Sequence, residues 1–412
     1  MQHVLVIQLA RFGDLVQTKR LLLSLKTRAQ VHLCLDASLA PLARLLYPFA
    51  ELHPVTAHGT GLGKAGPGAV LEAMLGRNRA AFAELAATDF TEVHNLNRSP
   101  LNLALASLFD PALVRGHAWK DGQVLLGAWP ELAMRWSARR RLGLNLVDFW
   151  AYFTPFPVPP AEVNPQAQAR GGGIGVVLAG RESRRSLPAE ILARLAAASL
   201  EQSGQGKLYL LGSAAEAPAA KAVLRALPPR VAAQAKDLSG KTDWAGLAEV
   251  LSGLDQVLTP DTGTMHLAAH LGVPVSAFFL SSAWCFETGP YGPGHTVYQS
   301  VTDCLPCLET RECPLQVACL EPFRDPGFVR FLLTGNPEHA PQGLLGLTSV
   351  LDQLGTHYTA FSGVDGDLPE RQKFRSFLCR HLHLPGAADE TPQPDLAAWL
   401  YQDRDWLAQN RQ

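Results

Sequence analysis

Charge is scarce in this chain. Asp, Glu, Lys and Arg make up 18% of its 412 residues, below the globular norm of about 25%. With 47% hydrophobic residues, the low charge excludes a mainly disordered chain. No excess of either sign stands out either, since 36 basic groups face 37 acidic ones. That excludes a global basic field for nucleic acid. Long apolar runs are missing, so no segment reaches the roughly 18 residues of a membrane span. No signal peptide is expected either, because Arg11 and Asp14 interrupt the apolar start Val4–Ala10 and no basic region precedes it. The expectation is a soluble cytoplasmic protein. Gly and Pro have no triplet period, which excludes a collagen-like chain. There is no repeat of 20–50 residues.

What remains is a strand–helix alternation. HVLVIQL reads as a buried parallel strand, followed by ARFGD and the helical LVQTKRLLLSLKT. VHLCL with ASLAPLARLLY, and EVHNL with SPLNLALASLF, repeat the unit. A Pro- and Gly-rich stretch near 154–173 lacks a periodic face and reads as a linker. A second alternation follows: IGVVLA, LPAEILARLAAASLEQ, KLYLLG, AAEAPAAKAVLRAL, DQVLTP, TMHLAAHLG and VPVSAFFL. Two Rossmann-like α/β halves are expected. Domain bounds are expected at 1–160, 161–172 (linker), 173–335 (with the cysteines of 304–319) and 336–412 (helical tail). VDFWAYF, just before the linker, is expected to be helical and to pack at the junction. Residues 1–165 carry 16 basic and 12 acidic groups, whereas the remainder carries 20 and 25. This asymmetry fits an anionic acceptor on the first half, or chance scatter of solvated charges.

Several motifs could carry chemistry. In LARFGDLVQT, Gly13 offers a positive φ and Asp14 stands at the carboxyl end of the first strand, where open α/β sheets bind ligands. A carboxylate there could take a proton from a hydroxyl, or simply cap the helix. HGTGLGKAGPG (58–68) fails the P-loop pattern, because Lys64 is followed by Ala65. It reads as a mobile loop that could close over an acceptor. GRESRRSLPAE (180–190) sets Arg181, Arg184 and Arg185 beside a helix start, suited to anionic oxygens or to solvent. In DQVLTPDTGTMHLAAHLGVP (255–274), Asp261, Thr262 and Gly263 fill a strand–helix turn and His266 lies in the first helical turn. That turn could hold a phosphate or merely cap the helix. Cys304, Cys307, Cys313 and Cys319 could form a tetrahedral sulfur site for zinc or iron, or be disulfides or free thiols. MRWSARRRLGL (134–144) could touch an anionic membrane surface or be a solvated helix face. A nucleotide-linked dehydrogenase is disfavoured, because no G-x-G-x-x-G follows the first strand.

PDTGTMHLAAHLGVPVSAFF followed by TGPYG resembles the signature of glycosyltransferase family 9, the bacterial heptosyltransferases. VLVIQLARFGDLVQT, LLGSAAEAPAA and LSGKTDWAGLAEVL resemble that family's other segments, in order over about residues 1–325. The resemblance implies a GT-B fold, two Rossmann-like domains facing a cleft. It implies inverting transfer of a heptose or related sugar from an ADP-sugar, normally ADP-heptose, to a lipopolysaccharide-core or related lipid-linked acceptor at the inner leaflet. The family's catalytic base falls on Asp14, with Gly13 and Thr18 in the same segment assigned to substrate binding. Its phosphate-binding lysine falls on Arg185, with Arg181 nearby. Its ribose-contacting acid falls on Glu216, and its donor turn on Asp261, Thr262, Gly263 and His266. No cofactor is implied for catalysis. The chain departs from the family pattern at Arg185, Leu187, Thr264 and Ser281–Ser282. The cysteine segment resembles the iron-holding finger of the branch that heptosylates autotransporter proteins, which implies a structural metal and keeps a protein acceptor open. A non-catalytic nucleotide-sugar-binding scaffold is the third alternative.

Overall fold

In a computed structural model, residues 2–57, 66–139, 141–178, 183–204, 206–308, 311–385 and 394–401 are described. The chain divides into two units. The first runs to Leu142 and adds Val147–Val158 and the chain from Pro369 onward. The second takes Gly143–Leu146 and Pro159–Leu368.

The first unit is built on the apolar run that opens the chain. β1 (His3–Gln8) is buried on both faces from Val4 onward, as a central parallel strand must be. β2 (Gln30–Asp36), β3 (Glu51–Val55), β4 (Glu92–Asn95), β5 (Val114–Lys120) and β6 (Gln123–Leu126) complete a sheet of order β3-β2-β1-β4-β5-β6. Only β6 is antiparallel, joined to β5 as a hairpin. The core packs Leu5, Ile7, Val93, Leu101 and Leu105 against Leu85 and Phe90.

A buried ion pair ties the segment Val147–Val158 to this unit. Arg20 Nη1 donates to Asp148 Oδ1 at 2.5 Å, and both side chains are almost completely buried. Arg20 Nε donates to the Val158 carbonyl at 3.0 Å, and the guanidinium lies over the Tyr152 ring. Ser24 Oγ closes the arrangement by accepting from Val158 N–H at 2.9 Å. The VDFWAYF segment is helical over Leu146–Ala151, as its periodicity predicts.

The second unit repeats the plan. β7 (Ile174–Val177), β8 (Leu208–Leu211), β9 (Ala235–Asp237), β10 (Gln256–Pro260), β11 (Val275–Phe279), β12 (Thr296–Ser300), β13 (Leu344–Leu351) and β14 (Thr356–Ser362) form one sheet. Its order is β14-β13-β12-β11-β10-β7-β8-β9. β7 to β12 are parallel, and β13 and β14 add an antiparallel edge.

Three expectations need correction. The stretch 336–412 is not a helical tail. LLGLTSVL and THYTAFS form β13 and β14, and among the described residues the α-helices of this stretch are Leu368–His381 and Pro394–Leu400. The alternating burial of β14 marks it as a strand with one covered face. The linker 161–172 is no loose tether either. Val163 and Asn164 are buried, Asn164 Nδ2 donates to the Tyr291 carbonyl at 2.9 Å, and Gln168 N–H bonds the Gly272 carbonyl. In the basic stretch 134–144, Arg135 and Arg139 contact the C-terminal helices instead of forming a bare basic face. Arg135 donates to the Leu400 carbonyl at 2.7 Å, and Arg139 pairs with Glu370 and lies 4.3 Å from the Trp399 ring centroid. The Gly-rich loop reading lies, for residues 58–65, outside the described residues.

Removing one partner of a buried ion pair leaves the other charge stranded. Asp148→Ala should therefore destabilise the first unit by about 3–5 kcal/mol, whereas Arg20→Met with Asp148→Leu should recover much of that loss. Urea unfolding of both variants measures it. Equal stability of Asp148→Ala and the native chain would show the pair to be idle.

Candidate functional site

In both units the first strand sits at the point where strand order reverses. β1 has β2 on one side and β4 on the other, and β7 has β8 and β10. Loops leaving neighbouring strands in opposite directions open a crevice at their carboxyl ends, which is where such sheets bind ligands. Most of the sequence-predicted site residues stand at these two places.

In the second unit the turn after β10 is organised by one carboxylate. Asp261 is buried. Its Oδ2 accepts from Arg185 Nη1 at 3.2 Å and from Thr288 Oγ1 at 3.1 Å. Arg185 comes from the loop after β7, and its Nε donates to Ser282 Oγ, after β11, at 2.7 Å. Three strand ends and the Thr288-Gly289 segment thus meet on one acid–base pair. Thr262 caps the helix Gly263–His270, its Oγ1 accepting from Met265 N–H at 3.3 Å. The capping reading is therefore realised. Gly289 must be glycine, since a Cβ would lie 2.2 Å from the Tyr358 hydroxyl oxygen.

His266 is buried one turn into that helix. Its Nε2 lies 3.9 Å from Asp261 Oδ1, too far for a hydrogen bond. Asp261 is already compensated by Arg185 and Thr288, so burial decides and brings the imidazole pKa down to about 3. Glu216 follows β8, where it accepts from Ser213 N–H within a capping box. Arg181 lies outside the described residues.

In the first unit Asp14 is partly exposed in the helix Phe12–Gln17, and its Oδ2 accepts from Arg11 N–H at 3.0 Å. Gly13 lies inside that helix, which corrects the expectation of a left-handed glycine. The turn needs no positive φ there, because Arg11 supplies the extended residue before the helix. Thr18 is fully buried beneath the turn. It donates to the Asp14 carbonyl at 2.8 Å and accepts from Gln8 Nε2 at 3.1 Å, while Asn97 from the β4 end donates to Gln8 Oε1 at 2.6 Å. Thr18 thus fixes the backbone of Asp14 from below.

All seven cysteines are free thiols. Burial pushes the Cys319 thiol pKa up, and nearby Cys304, Cys307 and Cys313 add to the rise. Among the described residues, however, no three of their sulfurs gather within 4.8 Å, the spacing a ligand set needs. Each of the first three has a polar contact of its own. Cys304 Sγ meets Thr302 Oγ1 at 3.2 Å, Cys307 Sγ meets Ser281 Oγ at 3.3 Å, and Cys313 Sγ accepts from Val317 N–H.

Residues 162–318, most of the second unit, match the family described as glycosyltransferase family 9 (heptosyltransferase). No curated protein matches the chain in sequence. Three solved family structures share its fold. The ADP-heptose lps heptosyltransferase II of E. coli is 18% identical, covers 72% of this chain and 90% of its own, and has a TM-score of 0.50. The E. coli heptosyltransferase WaaC with ADP is 16% identical over 72% and 92%, with a TM-score of 0.52. A family 9 glycosyl transferase from Veillonella parvula DSM 2008 is 17% identical over 73% and 88%, with a TM-score of 0.50. The expected GT-B fold class holds, and the Asp261 turn lies within the family 9 segment.

Sequence reasoning missed Ser282 and Thr288 as partners of the Arg185–Asp261 pair. Ser281–Ser282 stood out only as a departure, and Thr288 only as the first letter of TGPYG. It also missed Lys19, whose ammonium burial lowers to about 8, and a lysine in QTKR carries no signal of that.

The His266 shift has a pH signature. Its native value of about 3 lies below the ordinary 6.5, so the unfolded chain binds the proton more readily. The stability from the neutral ring is present above 6.5 and is lost as pH falls towards 3, by up to about 1.4 kcal/mol per pH unit. Between pH 6.5 and 5 the native chain should lose about 1–2 kcal/mol more than His266→Gln in urea unfolding. Parallel pH profiles would refute the burial of an uncharged ring.

Proposed function

We propose that this protein is an inverting glycosyltransferase that moves a heptose, or a related sugar, from an ADP-sugar to a lipopolysaccharide-core or related surface-glycan acceptor. The observation that carries the reading is the Asp261-centred turn. A buried carboxylate holds Arg185 at the carboxyl end of a parallel strand, beside a capped helix N-terminus, inside the family 9 segment. Arginine held in this way, together with backbone N–H groups, suits the leaving diphosphate, whose charge grows as the glycosidic bond breaks. Thr262 and Gly263 would shape the phosphate-facing turn, His266 would pack beneath it uncharged, and Arg181 and Glu216 would serve the phosphate and the ribose. Asp14 would take the proton from the acceptor hydroxyl as its oxygen attacks the anomeric carbon and ADP leaves. Its backbone position is braced by Thr18 and Gln8, which suits a base that must be held in register. The acceptor would be lipid-linked and met at the membrane surface. Among the described residues no helix is long and apolar enough to cross a membrane.

We further propose that Cys304, Cys307, Cys313 and Cys319 hold a structural zinc or iron. Four free thiols on one short segment support this, although their sulfurs must draw together to ligate.

Calorimetry with ADP-heptose, ADP-glucose, GDP-mannose and UDP-glucose tests the donor, and ADP-heptose is expected to bind preferentially. Arg185→Ala should weaken ADP binding by about 10–100-fold, the effect of losing one charge-assisted contact. Asp14→Ala should lower transfer by at least about 10²–10⁴-fold with donor affinity unchanged. Native turnover by Asp14→Ala would overturn the mechanism. Transfer to a protein but not to membrane extract would move the acceptor to the protein-modifying alternative.

A further inference from the structure

A second constellation lies in the first unit, away from every residue assigned above. β3 is the edge strand of its sheet and pairs with β2 so that His32 stands opposite Glu51. Side chains alternate along a strand, so Glu51 and His53 share a face of β3, and His32 faces them from β2. His32 Nδ1 is 2.9 Å from His53 Nε2 and 3.6 Å from Glu51 Oε2. One donor atom from each of the three falls within 4.8 Å of the others. Tetrahedral zinc with nitrogen and oxygen ligands at about 2.0–2.1 Å sets its donors roughly 3.3 Å apart, between the two separations observed.

The outer nitrogens are arranged as ligating histidines require. His32 Nε2 bonds His3 Nδ1 from β1 at 2.8 Å. His53 Nδ1 is buried without a hydrogen-bond partner, and the Glu84 carboxylate of the helix Pro67–Ala87 stands 3.7 Å from it. A metal-bound histidine characteristically turns its other N–H to a carboxylate or a second acceptor, which fixes the tautomer. Here a proton on His32 Nε2 points to His3 and one on His53 Nδ1 points to Glu84. Both inner nitrogens then keep their lone pairs for one ion, and neither ring gains or loses a proton. The two imidazoles are nearly inaccessible to solvent while the Glu51 side chain is 53% exposed, so the place is open on the carboxylate side only.

We propose that His32, Glu51 and His53 bind a divalent transition-metal ion of the zinc class, with water as the fourth ligand, and that the ion pins the edge strand β3 to β2. An ordinary hydrogen-bonded histidine ladder explains the 2.8 and 2.9 Å contacts. It leaves His53 Nδ1 unsatisfied and gives Glu51 no role.

The full chain, dialysed against zinc and analysed for bound metal, should hold one equivalent more than His53→Gln. Glu51→Gln changes an exposed side chain and should keep the circular dichroism of the native chain while weakening this site at least tenfold. The cysteine segment is monitored separately by the thiolate charge-transfer bands of the cobalt-loaded protein, which neither variant should alter. Equal zinc content and affinity in the native chain and in folded Glu51→Gln would overturn the proposal. So would a native chain that takes up no metal beyond what those thiolate bands account for.

Discussion

The parallel strand is the constraint on which the rest of this molecule depends. A parallel sheet must be covered on both faces, so each connection crosses over through a helix and returns to the same end. All strand ends of one sense therefore collect at one edge of each sheet. In both units the first strand lies centrally, with its successors winding out first to one side and then to the other. The polar residues that leave β1 and β4, and those that leave β7, β10 and β11, are adjacent as a result. Gln8 and Asn97 meet for that reason, linked through Thr18 to the Asp14 carbonyl, and so do Arg185, Asp261 and Ser282.

Buried charge is used sparingly and in pairs. Asp148 and Arg20 are taken fully out of water, and the guanidinium Nε–H reaches a backbone carbonyl. Asp261 is handled similarly but less completely, because the Arg185 side chain keeps about a fifth of its surface exposed. That difference separates a structural pair from one suited to binding. The first has no face left for a ligand, whereas the second holds a cation in a fixed place at the rim of a crevice. His266 fits the same logic, since burial beside an already compensated carboxylate keeps it neutral.

Period-two and period-3.6 patterns made β1, β2, β4, β7, β8, β10 and β11 legible, together with the helices between them. Each is an apolar run bounded by turn residues, and local sequence suffices for that. β13 and β14 were not legible. They pair antiparallel at a sheet edge, and although Gly335-Asn336-Pro337 and Pro341-Gln342-Gly343 mark a break before LLGLTSVL, they lie beyond the strand–helix alternation that made the other strands readable. Arg20–Asp148 was hidden for a different reason, because 128 residues separate the partners. Of the candidate site, the acids and the arginine could be read from the position of Asp14, Arg185 and Asp261 after strands. Their partners Ser282 and Thr288 could not, because a hydroxyl looks alike in sequence whether it faces solvent or a buried carboxylate, and Thr18 was named only through the resemblance. The histidine cluster escaped for the same reason as the ion pair. His32, Glu51 and His53 are ligand-like only once the register of β2 against β3 is known.

The loop after β11 shows how a departure from a family pattern is absorbed. Ser281 adopts φ 63°, a left-handed conformation uncommon outside glycine. That single residue sends two successive hydroxyls to different neighbours. Ser281 meets Cys307 through Oγ and accepts the Cys307 N–H at its carbonyl, while Ser282 accepts from Arg185. The cysteine segment is thereby attached to the same turn that positions the arginine. Any order imposed on those thiols reaches Arg185 through one peptide unit, with no long path of packed side chains. The site's three strand ends are thus joined to the cysteine segment through the backbone of a single turn.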